Sequence, residues 1–144
     1  MKGSDTLGAN SQYYAGGLTI SAKDLAAIVS VLCNDGMYKG QRILSKEAVE
    51  LMETLNFHFH NNSYDFDQAL TLRYQENMYG REGLYYHTGS AYGVHSVLSY
   101  DAKTGDGIVV ITTGTPKTKD KYDIYAVCGE ICDYFYKNVL QHEE

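Results

Sequence analysis

Tryptophan is absent from the 144 residues, proline occurs once (Pro116) and cysteine three times. So little proline beside 44% hydrophobic residues excludes a proline-rich disordered chain. What remains is an ordered globular chain of a size for one domain and one core, so residues 1–144 read as a single domain. Cys33, Cys128 and Cys132 are too few, and odd in number, for a disulfide framework. Cys128 and Cys132 stand four apart in a stretch of helical periodicity and share a face, which reads as buried free thiols; zinc pairs usually show tighter spacing. Positive charge is also scarce. Twelve Lys and Arg against 18 Asp and Glu give a net charge of −6, which disfavours nucleic acid and anionic membranes as partners. No apolar run is long enough to span a bilayer, and Met-Lys-Gly-Ser-Asp-Thr at the start holds no apolar signal region. The compartment therefore stays open; if a parent protein is exported or lies in the cell envelope, that address lies outside this chain.

Tyrosine, by contrast, is abundant, with 14 residues. It combines apolar area with a hydroxyl and suits a groove, an interface or a core edge. Residues 1–20 read as an irregular lead-in containing Gly16-Gly17. Ser21 and Asp24 open a helix whose stripe is Leu25, Ile28, Val29 and Leu32, and Gly36 is the left-handed stop. Residues 37–44 are a loop or extended piece. Ser45 caps a second helix with Val49, Met52 and Leu55 on one side. Residues 56–67, rich in aromatics, histidine and asparagine, read as a loop. From Ala69 onward the pattern turns to strands: Leu70–Tyr74, Leu84–Gly89, then a hairpin of Val94–Tyr100 and Ile108–Thr113. Ile108-Val-Val-Ile111 is apolar throughout and should be covered on both faces. A last helix carries Ile124, Val127, Cys128, Ile131 and Phe135. The expected fold is α+β, with about three or four antiparallel strands packed by the C-terminal helix and preceded by two helices.

The densest motif is His87-Thr88-Gly89-Ser90, set in Gly83-Leu-Tyr-Tyr-His-Thr-Gly-Ser-Ala-Tyr-Gly-Val-His-Ser-Val-Leu and followed by Gly105-Asp-Gly-Ile-Val-Val-Ile-Thr-Thr-Gly114. A strand ending in small residues, then two more strands, resembles the frame of the third active-site motif of penicillin-recognising serine hydrolases, Lys-Thr-Gly or a variant. Two earlier segments match in order. Tyr14-Ala-Gly-Gly-Leu-Thr-Ile-Ser-Ala-Lys-Asp-Leu25 is similar to Ala-Gly-Gly-Leu-x-Ser-Thr-x-x-Asp-Leu, and Asn34-Asp-Gly-Met-Tyr-Lys-Gly-Gln-Arg-Ile-Leu-Ser45 to the glycine-rich link into Leu-Ser-x-Glu. From Ala15 onward the chain thus resembles the C-terminal part of the class C β-lactamase, D-Ala-D-Ala carboxypeptidase and esterase superfamily, and a partial β-lactamase/transpeptidase-like fold is implied.

The resemblance implies acyl transfer on a β-lactam, a D-Ala-D-Ala peptide or a small ester, and no cofactor. It also implies what is missing. No serine here has a lysine three residues later, and Tyr136-Lys-Asn138, which has the letters of Tyr-x-Asn, lies after His-Thr-Gly where the family places it before. No nucleophile is expected in this chain, which alone should be inactive; its partner would be an N-terminal part of the same enzyme carrying Ser-x-x-Lys and Tyr-x-Asn. By resemblance, the Ser90 N–H would cradle the oxyanion, Thr88 would hold a substrate carboxylate, His87 would stand for the usual Lys, and Gly89 would permit close approach. A strand histidine with no task is the alternative for His87. Tyr85 and Tyr92 would wall the cleft or simply pack at a core edge. Family strands from the N-terminal part would pair with Ile108–Thr113, so their absence implies an open sheet edge and a possible homodimer through it.

Two other readings compete. A non-catalytic interaction module would use the tyrosine-rich cleft and the open edge. A metal enzyme would use histidines such as His58-Phe-His60, whose imidazoles would share one side of an extended strand; a solvated loop is the plainer account, and no metal is expected. His95 and Ser96 are adjacent, so a strand points them to opposite faces and they form no catalytic pair.

Overall fold

The computed structural model describes residues 18–141; most of the lead-in, including Gly16-Gly17 and the Tyr14–Gly17 portion of the first similar segment, lies outside the described residues. The described chain runs α1 (Ala22–Cys33), β1 (Met37–Tyr38), β2 (Gln41–Arg42), α2 (Lys46–Glu53), β3 (Phe57–His60), β4 (Asp65–Gln68), β5 (Arg73–Met78), β6 (Arg81–Ala91), β7 (Val94–Asp101), β8 (Asp106–Thr113) and α3 (Ala126–Asn138). The α+β class is as expected, but the main sheet has six strands, in the order β3-β4-β5-β6-β7-β8, and β1 and β2 form a separate pair. All pairings are antiparallel.

The two additional strands replace the expected loop over 56–67. Phe57 and Phe59 alternate with His58 and His60, and the strand pairs with Asp65–Gln68 in register. The expected strand from Leu70 is displaced instead. Ala69–Leu72 makes the β4–β5 turn, closed by the Ala69 N–H donating to the Leu72 carbonyl at 2.8 Å, and leaves Leu70 exposed.

The starts of α1 and α2 follow the capping rule. Ser21 accepts from the Asp24 N–H at 3.1 Å and Ser45 from the Ala48 N–H at 3.1 Å, satisfying donors that the first turn leaves unpaired. At the α1 stop Gly36 has φ +86°, and a Cβ there would lie 2.2 Å from the Leu44 carbonyl oxygen, so both conformation and space demand glycine.

Helices pack on both faces of the sheet. On one face α3 packs through Cys128, Cys132 and Tyr136 onto Met78, Leu84, Tyr86, Val97 and Val110. On the other, Val29 and Leu32 of α1 meet Ala69, Leu72 and Tyr100, with Met52 of α2 alongside. The expected stripes shift slightly. Ile28 is exposed while Val31 is buried, and Phe135 is exposed while Tyr136 is buried. The cysteines are free, and Cys128 and Cys132 are wholly buried; desolvation pushes the Cys132 thiol up to about 12. Ile111 is 40% exposed, so β8 is not covered on both faces along its whole length. β8 is also the last strand of the sheet, and among the described residues no strand pairs with its outer edge. No described helix is long and apolar enough to cross a membrane.

Candidate functional site

Strand β6 outruns its neighbour. β5 begins at Arg73, opposite Tyr86, whereas β6 continues five residues further, His87–Ala91, where β7 is its one strand partner among the described residues. The motif His87–Ser90 lies in this one-sided stretch. Beyond it, Tyr92 and Gly93 form a two-residue turn with φ +52° and +81°, the signature of a type I′ hairpin. Such a turn is flanked by a hydrogen-bonded pair, here Ala91 and Val94. Antiparallel alternation then directs the main chain of His87, Gly89 and Ala91 toward β7, and that of Thr88 and Ser90 toward the side β5 has vacated. Among the described residues no main-chain group outside the strand pairings bonds the Thr88 or Ser90 N–H.

Side chains divide the motif the other way. Leu84 and Tyr86 belong to the face under α3, so Thr88 and Ser90 share that face, while His87 and Gly89 share the α1 face with Tyr85. The four residues therefore do not form one cluster on one face. Only a ligand lying along the strand edge meets all of them.

His87 is exposed, yet surrounding protein atoms desolvate its ring and, with the Arg73 guanidinium, hold its pKa below the ordinary 6.5; a hydrogen bond to the Thr88 main chain opposes this. Near it on the α1 face, Val94 and Ile111 are also exposed, because α1 and α2 cover only the other end of the sheet.

The tyrosines expected to wall a cleft part ways. Tyr85 packs between Tyr74, at 4.8 Å between ring centroids, and Tyr100, at 5.5 Å. Its hydroxyl donates to the Glu53 carbonyl of α2 at 3.3 Å, and burial pushes its pKa up to about 12. It is a core-edge residue. Tyr92 stands fully exposed at the hairpin tip. Tyr136 of the Tyr-x-Asn look-alike is buried beside Ser99, hydroxyl to hydroxyl at 3.0 Å, and lines a cavity with Arg81, Asp101 and Lys137 that none of His87–Ser90 borders.

One constellation escaped the sequence reading. His95 stands directly opposite Ser90, and Ser90 Oγ lies 3.1 Å from His95 Nδ1. The Tyr125 hydroxyl donates to Ser90 Oγ at 2.9 Å, and the Tyr125 ring stacks on the buried imidazole at 3.6 Å between centroids. With Tyr125 donating, the Ser90 hydrogen is free to point at Nδ1. A serine beside an imidazole has the look of a nucleophile and base. Two facts make it a clamp instead: no described residue bonds His95 Nε2 to orient the ring, and Tyr125 already holds the hydroxyl. It ties the overhanging end of β6 to the residue that precedes α3. The sequence signal was the two-residue turn, which sets Ser90 opposite His95.

Compared with known protein families, with curated proteins and with solved structures, the chain finds no match in any of the three.

Proposed function

We propose that this chain is the C-terminal, substrate-edge portion of a serine acyl hydrolase related to the β-lactamases and D-Ala-D-Ala carboxypeptidases, and that the overhanging edge of β6 receives the acyl substrate. The observation that carries this reading is that, among the described residues, the N–H groups of Thr88 and Ser90 have no main-chain partner on the side β5 has vacated. A strand edge with free N–H groups can add an extended substrate as a further strand and can hold the oxygen that becomes negative when a nucleophile attacks the carbonyl. The Ser90 N–H is the oxyanion donor in this reading. The Thr88 hydroxyl and the His87 ring flank the edge from opposite faces and hold the ends of the substrate. The Ser90–His95–Tyr125 clamp keeps the donor in place, as a preorganised site requires.

The nucleophile comes from an N-terminal portion carrying Ser-x-x-Lys and Tyr-x-Asn. That portion also has somewhere to dock. The outer edge of β8 and the exposed Val94 and Ile111 lie at the same end of the sheet as the β6 overhang, and an unpaired edge invites another strand. A second copy of this chain is the alternative occupant of that edge.

Two measurements test the reading. A fluorescent penicillin should leave this chain unlabelled; covalent labelling would show that a nucleophile is present after all. An N-acyl-D-Ala-D-Ala peptide added to the ¹⁵N-labelled chain should shift the amide signals of Thr88 and Ser90 before those of Leu84 and Tyr86. Shifts confined to other strands would overturn it.

A further inference from the structure

The β3–β4 hairpin, at the far edge of the sheet, sorts its side chains by chemistry. Phe57, Phe59 and Phe66 take one face, with Phe59 and Phe66 stacked at 5.0 Å. His58, His60, Asp65 and Asp67 take the other, and the register sets His58 opposite Asp67 and His60 opposite Asp65. His58 Nδ1 lies 2.9 Å from Asp67 Oδ1, while its Nε2 lies 3.1 Å from Asp65 Oδ1. The second oxygen of Asp65 is 3.6 Å from His60 Nδ1. One nitrogen each from His58 and His60 and one oxygen of Asp65 lie within 4.8 Å of one another.

We propose that His58, His60 and Asp65 bind one first-row divalent ion of the zinc class, with Asp67 orienting His58 from behind. The first argument is proton bookkeeping. A neutral imidazole has one N–H. If Asp67 takes it at Nδ1, the Nε2 lone pair of His58 faces a carboxylate oxygen at 3.1 Å, which is repulsive unless a cation stands between them. A proton relieves that single contact, whereas a metal ion also engages His60. The second argument is reach. Ligand atoms around a tetrahedral zinc with bonds of about 2.0–2.2 Å stand roughly 3.3–3.6 Å apart; the two histidines approach the two Asp65 oxygens at 3.1 and 3.6 Å, and one ligand atom from each residue lies within 4.8 Å of the others, a spread that side-chain rotation closes on these exposed residues. The third is ligand type. Two imidazole nitrogens with a carboxylate suit zinc and its neighbours rather than magnesium or calcium, which take oxygen. Asp67 behind His58 reproduces the carboxylate–histidine–metal arrangement that fixes the ring tautomer. All three ligands are exposed, so a fourth position is open to water or to another ligand. The sequence set the two imidazoles on one side of an extended strand but favoured a solvated loop; the hairpin supplies the carboxylates. The proposal does not depend on the hydrolase reading, since the site lies on β3 and β4, three and two places from β6 in the sheet order.

The test uses the chain stripped of metal and titrated with zinc against a competing chromophoric chelator. One ion should bind per chain. The double variant His58→Ala/His60→Ala should lose that binding, Asp67→Asn should weaken it by about 10- to 100-fold, and His87→Ala should leave it unchanged. In ¹H–¹⁵N spectra of the imidazoles of the unsubstituted chain, zinc should move the His58 and His60 signals and leave those of His87 and His95 in place; this arm holds even if the double variant fails to fold. Absence of one-to-one binding, unchanged binding in a folded double variant, or zinc-dependent shifts at His87 or His95 instead would overturn the proposal.

Discussion

Strand β6 has two halves in unlike surroundings. Arg81–Tyr86 pairs with β5, and at Tyr85 and Tyr86 with β7 as well, and Leu84 and Tyr86 are wholly buried under α3. His87–Ala91 has β7 on one side only, and His87, Ser90 and Ala91 are exposed. Packing accounts for the first half residue by residue. It does not account for a second half of small and hydroxyl-bearing residues held straight, without a second neighbour, by a buried His95 and a stacked Tyr125. A strand end that, among the described residues, is paired on one side only is what a binding edge requires, and the functional proposal rests on it.

The largest effect should separate the halves in stability. Leu84→Ala opens a cavity in the core and should cost about 2–5 kcal/mol. Thr88→Ala, on the same face four residues on, should cost well under that. Urea denaturation of the two variants measures the difference, and equal losses would erase the contrast. The glycines sharpen it next. A Cβ at Gly83 would sit 2.0 Å from the Tyr74 hydroxyl oxygen, whose ring is wedged against Tyr85; Gly83→Ala should cost about 1–3 kcal/mol by overpacking. A Cβ at Gly89 would meet only Ser96 Oγ, at 2.6 Å, which one rotation moves away. Gly89→Ala should therefore melt close to the parent chain.

A smaller change tests the clamp. Ser90→Ala removes the shared partner of Tyr125 and His95 and should cost about 0.5–1.5 kcal/mol, with the NMR signals of Tyr125 and His95 shifting together and those of Leu84 unmoved. The smallest effect is that of pH at His87. Its folded-state pKa lies below 6.5, so the unfolded chain takes up the proton first. Stability should fall as pH drops below about 6.5 and recover above it. His87→Gln should flatten that part of the profile slightly, since an exposed ring contributes little.

Much of this was legible in the sequence where one physical rule dominates. Ser21 and Ser45 mark helix starts because their hydroxyls meet orphan N–H groups, and Gly36 marks a stop because only glycine fits there. The β6–β8 region could be read from short apolar stretches separated by turn-forming residues. The β3–β4 hairpin could not be read as easily, because alternation between Phe and His resembles the mixed composition of a loop until Asp65 and Asp67 are seen across from the histidines. The β6–β7 turn was hidden for another reason. Type I′ turns favour Asn or Asp before Gly, and Tyr92 at φ +52° is an unusual occupant. Without that turn the register is unknown, and Ser90 cannot be placed opposite His95. That β6 overhangs depends on where β5 begins, and the displaced Leu70–Tyr74 reading obscured it.

Amide hydrogen exchange tests the central contrast most directly. The account predicts strong protection at Leu84 and Tyr86, rapid exchange at Thr88 and Ser90 in the free chain, and slower exchange at those two alone when an N-acyl-D-Ala-D-Ala peptide is added. Protection at Thr88 and Ser90 already equal to that at Leu84 in the free chain would contradict it, because the edge would then be paired and closed.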